Sequence, residues 1–363
     1  MSEHGGNVLE MAQKIGVTAE ELTDFSANIN PLGMPVSLKA AIIDQLQRAE
    51  CYPDTEYRRL HAALARVHHC TVENLIAGNG ATELIYAVVN YLKPRRAMLL
   101  MPGFAEYRRA LLRVGCQIDD YVMSETEGYQ PDERLLAALD RGRPDCLFLA
   151  APNNPTGLMP DTELLQAVLE RCHQHNIALI VDEAFIDFIP DAAGLIPKIA
   201  HYPHLYILRS LTKFFAIPGL RLGYLVSGDV TGIREMKCWR EPWTINAFAA
   251  LAGEIILNDK AYIQATHRWL AQQQRWLYQA LAALPELRVW PPAANYIFLR
   301  CLRPEIDLQQ ALLKHRILIR HCANYPGLSA AHYRVAIKGK HDNHRLVLAL
   351  REVLVAKTPG GVR

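Results

Sequence analysis

Ser210, Lys213 and Arg221 lie in "SLTKFFAIPGLRLGY" (210–224), a stretch that otherwise reads as core and turn. A lysine is ordinarily a surface residue. Here its flanks are apolar, a buried strand precedes it, and "PGLRLGY" leads straight into another. Desolvation disfavours the ammonium, so a lysine in this setting is a nucleophilic amine suited to an aldehyde. A hydroxyl three residues before it and a guanidinium eight after it suit a phosphate monoester. An aldehyde and a phosphate on one molecule describe pyridoxal phosphate.

Other clusters supply what that cofactor needs. A carboxylate at the pyridine nitrogen keeps the ring an electron sink, and Asp182 ends an apolar run in "VDEAF". The ring's 3′ oxygen needs a donor, which Asn154 of "PNNPTG" offers. A phosphate takes backbone N–H groups at a helix start. "AGNGATELIYAVV" opens a helix with a Gly-rich turn at Gly80, Ala81 and Thr82. Phe104 of "PGFAEY" offers the flat ring an apolar face.

These residues need a scaffold. From residue 75 to about 228, apolar runs ("AMLLM", "CLFLAA", "IALIVD", "LYILRS", "LGYLVS") alternate with helical segments. Continuously apolar strands are buried on both faces, which predicts a mainly parallel sheet covered by helices. Such sheets bind ligands at the carboxyl ends of their strands, where "PNNPTG", "DEAF" and "SLTK" follow. Residues 243–284 read as long helix. The chain then reads strand (295–300), helix, strand (317–321), strand (333–337) and helix. The expected organisation is an N-terminal arm and loop (1–40), a large cofactor-binding domain (41–255), and a linking helix with a smaller α/β domain (256–363).

The 363 residues carry a formal net charge of +2, which gives no support to nucleic-acid or membrane partners. Eight scattered cysteines without a CxxC pair suggest reduced thiols. "RCHQHN" (171–176) has no matching cluster elsewhere, so no metal is expected. "MSEHGGNVLE" lacks a signal-peptide pattern and no apolar run approaches ~20 residues. A cytoplasmic protein is the expectation.

In this order and spacing, the clusters resemble the fold-type-I pyridoxal-phosphate enzymes of the class I/II aminotransferase family, from "NINPLG" to "YRVAIK". The resemblance implies an internal Schiff base on Lys213, with Asp182 at the pyridine nitrogen and Asn154 at the 3′ oxygen. Phe104 would stack on the ring, and Ser210, Arg221 and the 80–82 turn would hold the phosphate. Tyr52, in "CYPD", matches a tyrosine that reaches the partner subunit's phosphate, which implies a homodimer. Arg334, in "YRVAI", matches the arginine that grips a substrate α-carboxylate. One departure stands out: many members have Tyr three residues after the aspartate, and this chain has Phe185.

Finer features are "HGGN", "DFSANINPLGMP", "DEAFIDFIP" and "ILIRHCANYPGL". They resemble the branch of the family that decarboxylates L-threonine O-3-phosphate to (R)-1-amino-2-propanol O-2-phosphate in cobalamin biosynthesis. Arg320, at the end of "ILIR", offers a second anion grip beside Arg334. His4 and Asn28 lie in loops able to close over a short phosphate. The residues themselves support a pyridoxal-phosphate enzyme acting on a small anionic amino acid. Decarboxylation over transamination rests on the resemblance, and serine phosphate stays open as substrate. The alternatives are aminotransfer from histidinol phosphate or another phosphorylated amino acid, and an inactive scaffold of the same fold.

Overall fold

A computed structural model describes residues 5–192 and 194–355. After a short strand β1 (Thr23–Asp24), seven strands of the described residues form one sheet: β2 (Leu75–Gly78), β3 (Arg96–Met101), β4 (Gln117–Val122), β5 (Cys146–Ala150), β6 (Ala178–Asp182), β7 (Leu205–Ser210) and β8 (Gly223–Ser227). Their order is β2-β8-β7-β6-β5-β3-β4. Neighbours run parallel except on either side of β8, which is reversed.

The apolar runs become strands because both faces of the sheet are covered. Along β3, Ala97, Leu99 and Met101 join one apolar cluster, while Met98 and Leu100 join the other. Strand β4 escapes a search for apolar runs because "QIDDYV" keeps its side chains exposed or half-buried at the sheet edge. The helix Thr162–Gln174 between β5 and β6 starts where Asp161 accepts hydrogen bonds from the N–H groups of Glu163 and Leu164.

The C-terminal part carries β9 (Leu287–Val289), β10 (Tyr296–Cys301), β11 (Ile317–Leu318), β12 (Arg320–His321) and β13 (His332–Ala336). The run 317–321, expected as one strand, is split between two sheets. Ile317 and Leu318 pair in parallel with β1, whereas Arg320 and His321 join the antiparallel sheet β12-β13-β10-β9. Met11, Ala12 and Leu22 pack against Leu313 and Leu318 beside that first pair. The helical stretch 243–284 is also split. Ala247–Ile255 and Lys260–Ala282 are separated by a short turn, and Asp259 caps the second helix through the N–H of Tyr262.

Among the described residues no helix is long and apolar enough to cross a membrane, and no three His, Cys, Asp or Glu side chains gather as metal ligands. In "RCHQHN", Cys172 is core and His175 contacts Asp140 at 2.9 Å.

Candidate active site

Strands β5, β6 and β7 are parallel neighbours, so their carboxyl ends open on one edge of the sheet. Asp182 ends β6 and Ser210 ends β7, while Asn154 follows β5 within a turn. Lys213 comes three residues after Ser210 and donates from Nζ to Ser210 Oγ at 2.9 Å. Burial pushes the Lys213 ammonium down to about 8. Asp182 opposes that shift, and the cations of Arg221 and Arg334 add to it. The amine expected from the sequence is therefore present, and a minor fraction of it, far larger than for a solvated lysine, is unprotonated near neutral pH.

Asp182 is buried, and each of its oxygens accepts a hydrogen bond. Tyr107 donates to Oδ2 at 2.6 Å and the Ala184 N–H to Oδ1 at 2.9 Å. Burial raises its acid above the usual carboxylate range, while Tyr107, Lys213 and the Ala184 N–H pull it back. A carboxylate in that position gains from a buried cation, as a protonated pyridine would be. Sequence reasoning missed Tyr107, although "PGFAEY" contains it. Phe104 and Tyr107 stand three residues apart at the start of the helix Ala105–Arg113, so one helical turn sets their rings edge to face, 5.7 Å apart. Tyr107 also stacks on Phe148 at 5.1 Å. Phe185 is buried, with Lys213 Nζ 5.7 Å from its ring centre.

Gly80 starts the helix Gly80–Leu92 at φ +78°. A Cβ there would collide with the Arg221 guanidinium, and a Cβ on Gly223 would collide with the backbone nitrogen of Ala81. The missing side chains bring a guanidinium against a helix N-terminus, a cradle with the shape and charge for a phosphate. Thr82 is half-buried in the first turn. Ser210 Oγ also meets Thr212 Oγ1 at 2.9 Å. Amine, buried carboxylate and anion cradle together fit pyridoxal phosphate.

Across from this edge lie the two arginines of the second sheet. Arg320 on β12 and Arg334 on β13 are direct cross-strand partners, 6% and 5% exposed. Arg334 donates to Asn154 Oδ1 and, at 2.7 Å, to the carbonyl of Ser26. Because the Asn154 carbonyl faces Arg334, its NH₂ is left to donate elsewhere. Arg320 donates to the His321 carbonyl and to Asn324 Oδ1, each at 2.8 Å. The Nε of Arg334 and the Oδ1 of Asn28 are buried and have no hydrogen-bond partner among the described residues. Ser26 thus brings the N-terminal loop to Arg334, and the Asn28 carbonyl accepts from Asn295 Nδ2 at 3.0 Å. Gly6 N–H donates to Ser26 Oγ at 2.8 Å, and a Cβ on Gly5 would collide with the Ser26 carbonyl. His4 lies outside the described residues.

Tyr52 does not join these residues within its own chain. It is 81% exposed, its ring centre lies 4.6 Å from that of Trp243, and it borders a groove of about 370 Å³ with Arg48, Tyr57, Ala247 and Glu254.

The family model for aminotransferase class I and II matches residues 20–350. The threonine-phosphate decarboxylase of Salmonella typhimurium is 55% identical over 99% of this chain and 98% of its own. The adenosylcobalamin biosynthesis bifunctional protein CobDQ of Leptospira interrogans is 30% identical over 97% of this chain and 41% of its own. Among solved structures, the histidinol-phosphate aminotransferase from Clostridium acetobutylicum superposes with a TM-score of 0.84 at 31% identity, covering 91% of this chain and 98% of that one.

Proposed function

The chain belongs to the class I and II aminotransferase family, and from that premise we propose that it is a pyridoxal-phosphate-dependent carboxy-lyase. It removes CO2 from L-threonine O-3-phosphate to give (R)-1-amino-2-propanol O-2-phosphate in cobalamin biosynthesis. Similarity to the Salmonella decarboxylase and to the Leptospira protein supports the reaction and the pathway. The structural observation that carries the substrate class is the buried cross-strand pair Arg320–Arg334. Two guanidinium groups on adjacent strands repel each other. A substrate with both a carboxylate and a phosphate relieves that repulsion, and a neutral one does not.

The residues divide the work. Gly80, Ala81, Thr82, Ser210 and Arg221 would hold the cofactor phosphate, Asp182 would pair with the pyridine nitrogen, Asn154 would donate to the 3′ oxygen and Phe104 would cover the ring. When bound, pyridoxal phosphate supplies an aldehyde for an amine and a ring that accepts the electron pair of the breaking bond. Lys213 is the protein's amine for that aldehyde. Once CO2 has left, the carbon that lost it needs a proton. Lys213 Nζ holds one below about pH 8 and is the donor in this reading. Arg334 and Arg320 orient the anionic ends of the substrate, with Asn28 and His4 as further substrate-binding residues.

Residues 1–40 act as an arm over the small domain (256–363), and 41–255 form the cofactor-binding domain. Two chains form a cytoplasmic homodimer in which Tyr52 reaches the partner's cofactor phosphate, consistent with its exposure. A monomer in sedimentation at working concentration contradicts that arrangement.

The test of the function is direct. Purified protein loaded with cofactor is incubated with L-threonine phosphate, with and without 2-oxoglutarate. The expected result is CO2 release that does not need the keto acid. Amino transfer from histidinol phosphate outpacing that release would instead establish an aminotransferase.

A further inference from the structure

Ala77 lies on β2, the edge strand that leads through Gly78 and Asn79 into Gly80. It sits opposite Tyr224 of β8. Both of its backbone polar groups are taken by side chains. Its N–H donates to His61 Nε2 at 3.1 Å, and Arg240 Nη1 donates to its carbonyl at 2.5 Å. An amide N–H only donates, so Nε2 is the bare nitrogen and Nδ1–H meets the Glu56 carbonyl at 2.8 Å. His61 is 5% exposed, and burial pushes its imidazolium down to about 4, which keeps the ring in that neutral form. Arg240 lies 5.0 Å from the Tyr57 ring, and the Tyr57 hydroxyl binds both N–H and carbonyl of Ile245.

Water satisfies an open strand edge without fixing it. A buried imidazole and a half-buried guanidinium clamped on one residue fix it in place. The opposite side of the cradle is set by backbone contact, Gly223 against Ala81. The Asn79 N–H between clamp and cradle is held by the Glu83 carboxylate.

We propose that His61 and Arg240 are positioning residues for the phosphate cradle at Gly80 and Ala81. They pin Ala77, three residues upstream, so that the helix N-terminus meets the Arg221 guanidinium at the spacing a phosphate needs. This rests on reading the 80–82 turn as the site of the cofactor phosphate.

The test compares two ligands on cofactor-free full-length protein: pyridoxal phosphate, and pyridoxal, which lacks the phosphate. The parent is expected to prefer the phosphorylated form strongly. In His61→Leu that preference falls about tenfold, the worth of one buried hydrogen bond, through pyridoxal phosphate alone. His61→Gln, whose side-chain carbonyl accepts the same N–H, restores it to within about threefold. Arg240→Met matches His61→Leu and serves as the probe where the latter does not fold. An unchanged preference in folded His61→Leu or Arg240→Met overturns the inference. A parent with no preference overturns the reading of the turn itself.

Discussion

The carboxyl ends of β5–β7 and the strand pair β12–β13 face one site and arrange their charges in opposite ways. At the large sheet, the Lys213 amine and the Asp182 carboxylate oppose each other's charge, and each is held by a neutral hydroxyl, Ser210 or Tyr107. At the small sheet, two buried arginines occupy directly opposed positions of neighbouring strands. The first arrangement is complete without a substrate and serves covalent chemistry on any amino acid. The second, in the proposed reading, receives the anionic ends of the substrate. On that reading chemistry belongs to one sheet and substrate choice to the other, and substitutions on the two sides should fail differently.

The largest effect is expected at Lys213. Lys213→Ala should lower turnover roughly 10⁴-fold or more for every substrate, as when a covalent catalyst is removed. The visible absorbance of the lysine-bound cofactor should disappear with it. Turnover near the parent's would take the chemistry away from the large sheet.

Tyr107→Phe sharpens the comparison. The variant keeps the ring between Phe104 and Phe148 and removes only the bond to Asp182. Turnover should fall about tenfold with cofactor still bound. The ratio of efficiencies for L-threonine phosphate and L-threonine should stay the same. A changed ratio, measured with both substrates, would mean that the two sides are not separable.

Much of the large-sheet side was legible in the sequence. Lys213, Asp182, Asn154 and Ser210 each follow or end an apolar run, and the ends of neighbouring parallel strands have to converge. Tyr107 was not legible, because its role depends on a contact 75 residues away in the chain. The edge strands were hidden for a different reason: β4 is polar and β2 has only four residues. On the small-sheet side the sequence suggested Arg320 and Arg334 as anion grips, but not that they are direct partners. That partnership arises because Ile319 separates the two short strands β11 and β12, which pair with different sheets, a break that nothing in "ILIRH" signals.

The smallest effect is on stability. Lys213 titrates near 10.5 when unfolded and at about 8 when folded. Between those values the unfolded chain binds more protons, so the cofactor-free protein should gain stability as pH rises from about 8 to about 10.5. The gain should be about 1–3 kcal/mol, and Lys213→Met should flatten this part of the profile in denaturant titrations. A profile that is the same in both proteins would place the lysine amine in water and remove its activation by burial.

The division of labour is tested most directly by one ratio, kcat/KM for L-threonine phosphate over L-threonine, in the parent and in Arg320→Ala and Arg334→Ala. A guanidinium left buried without its anion costs several kcal/mol. The parent should therefore discriminate on the order of 10⁴-fold or more, as sites built for a polar group do. The variant that removes the phosphate grip should lose most of that discrimination, the one that removes the carboxylate grip should lose efficiency for both substrates alike, and both should keep the visible absorbance of bound cofactor. A parent ratio near one, or two variants that both keep the parent's ratio, would contradict the assignment of substrate choice to the Arg320–Arg334 pair.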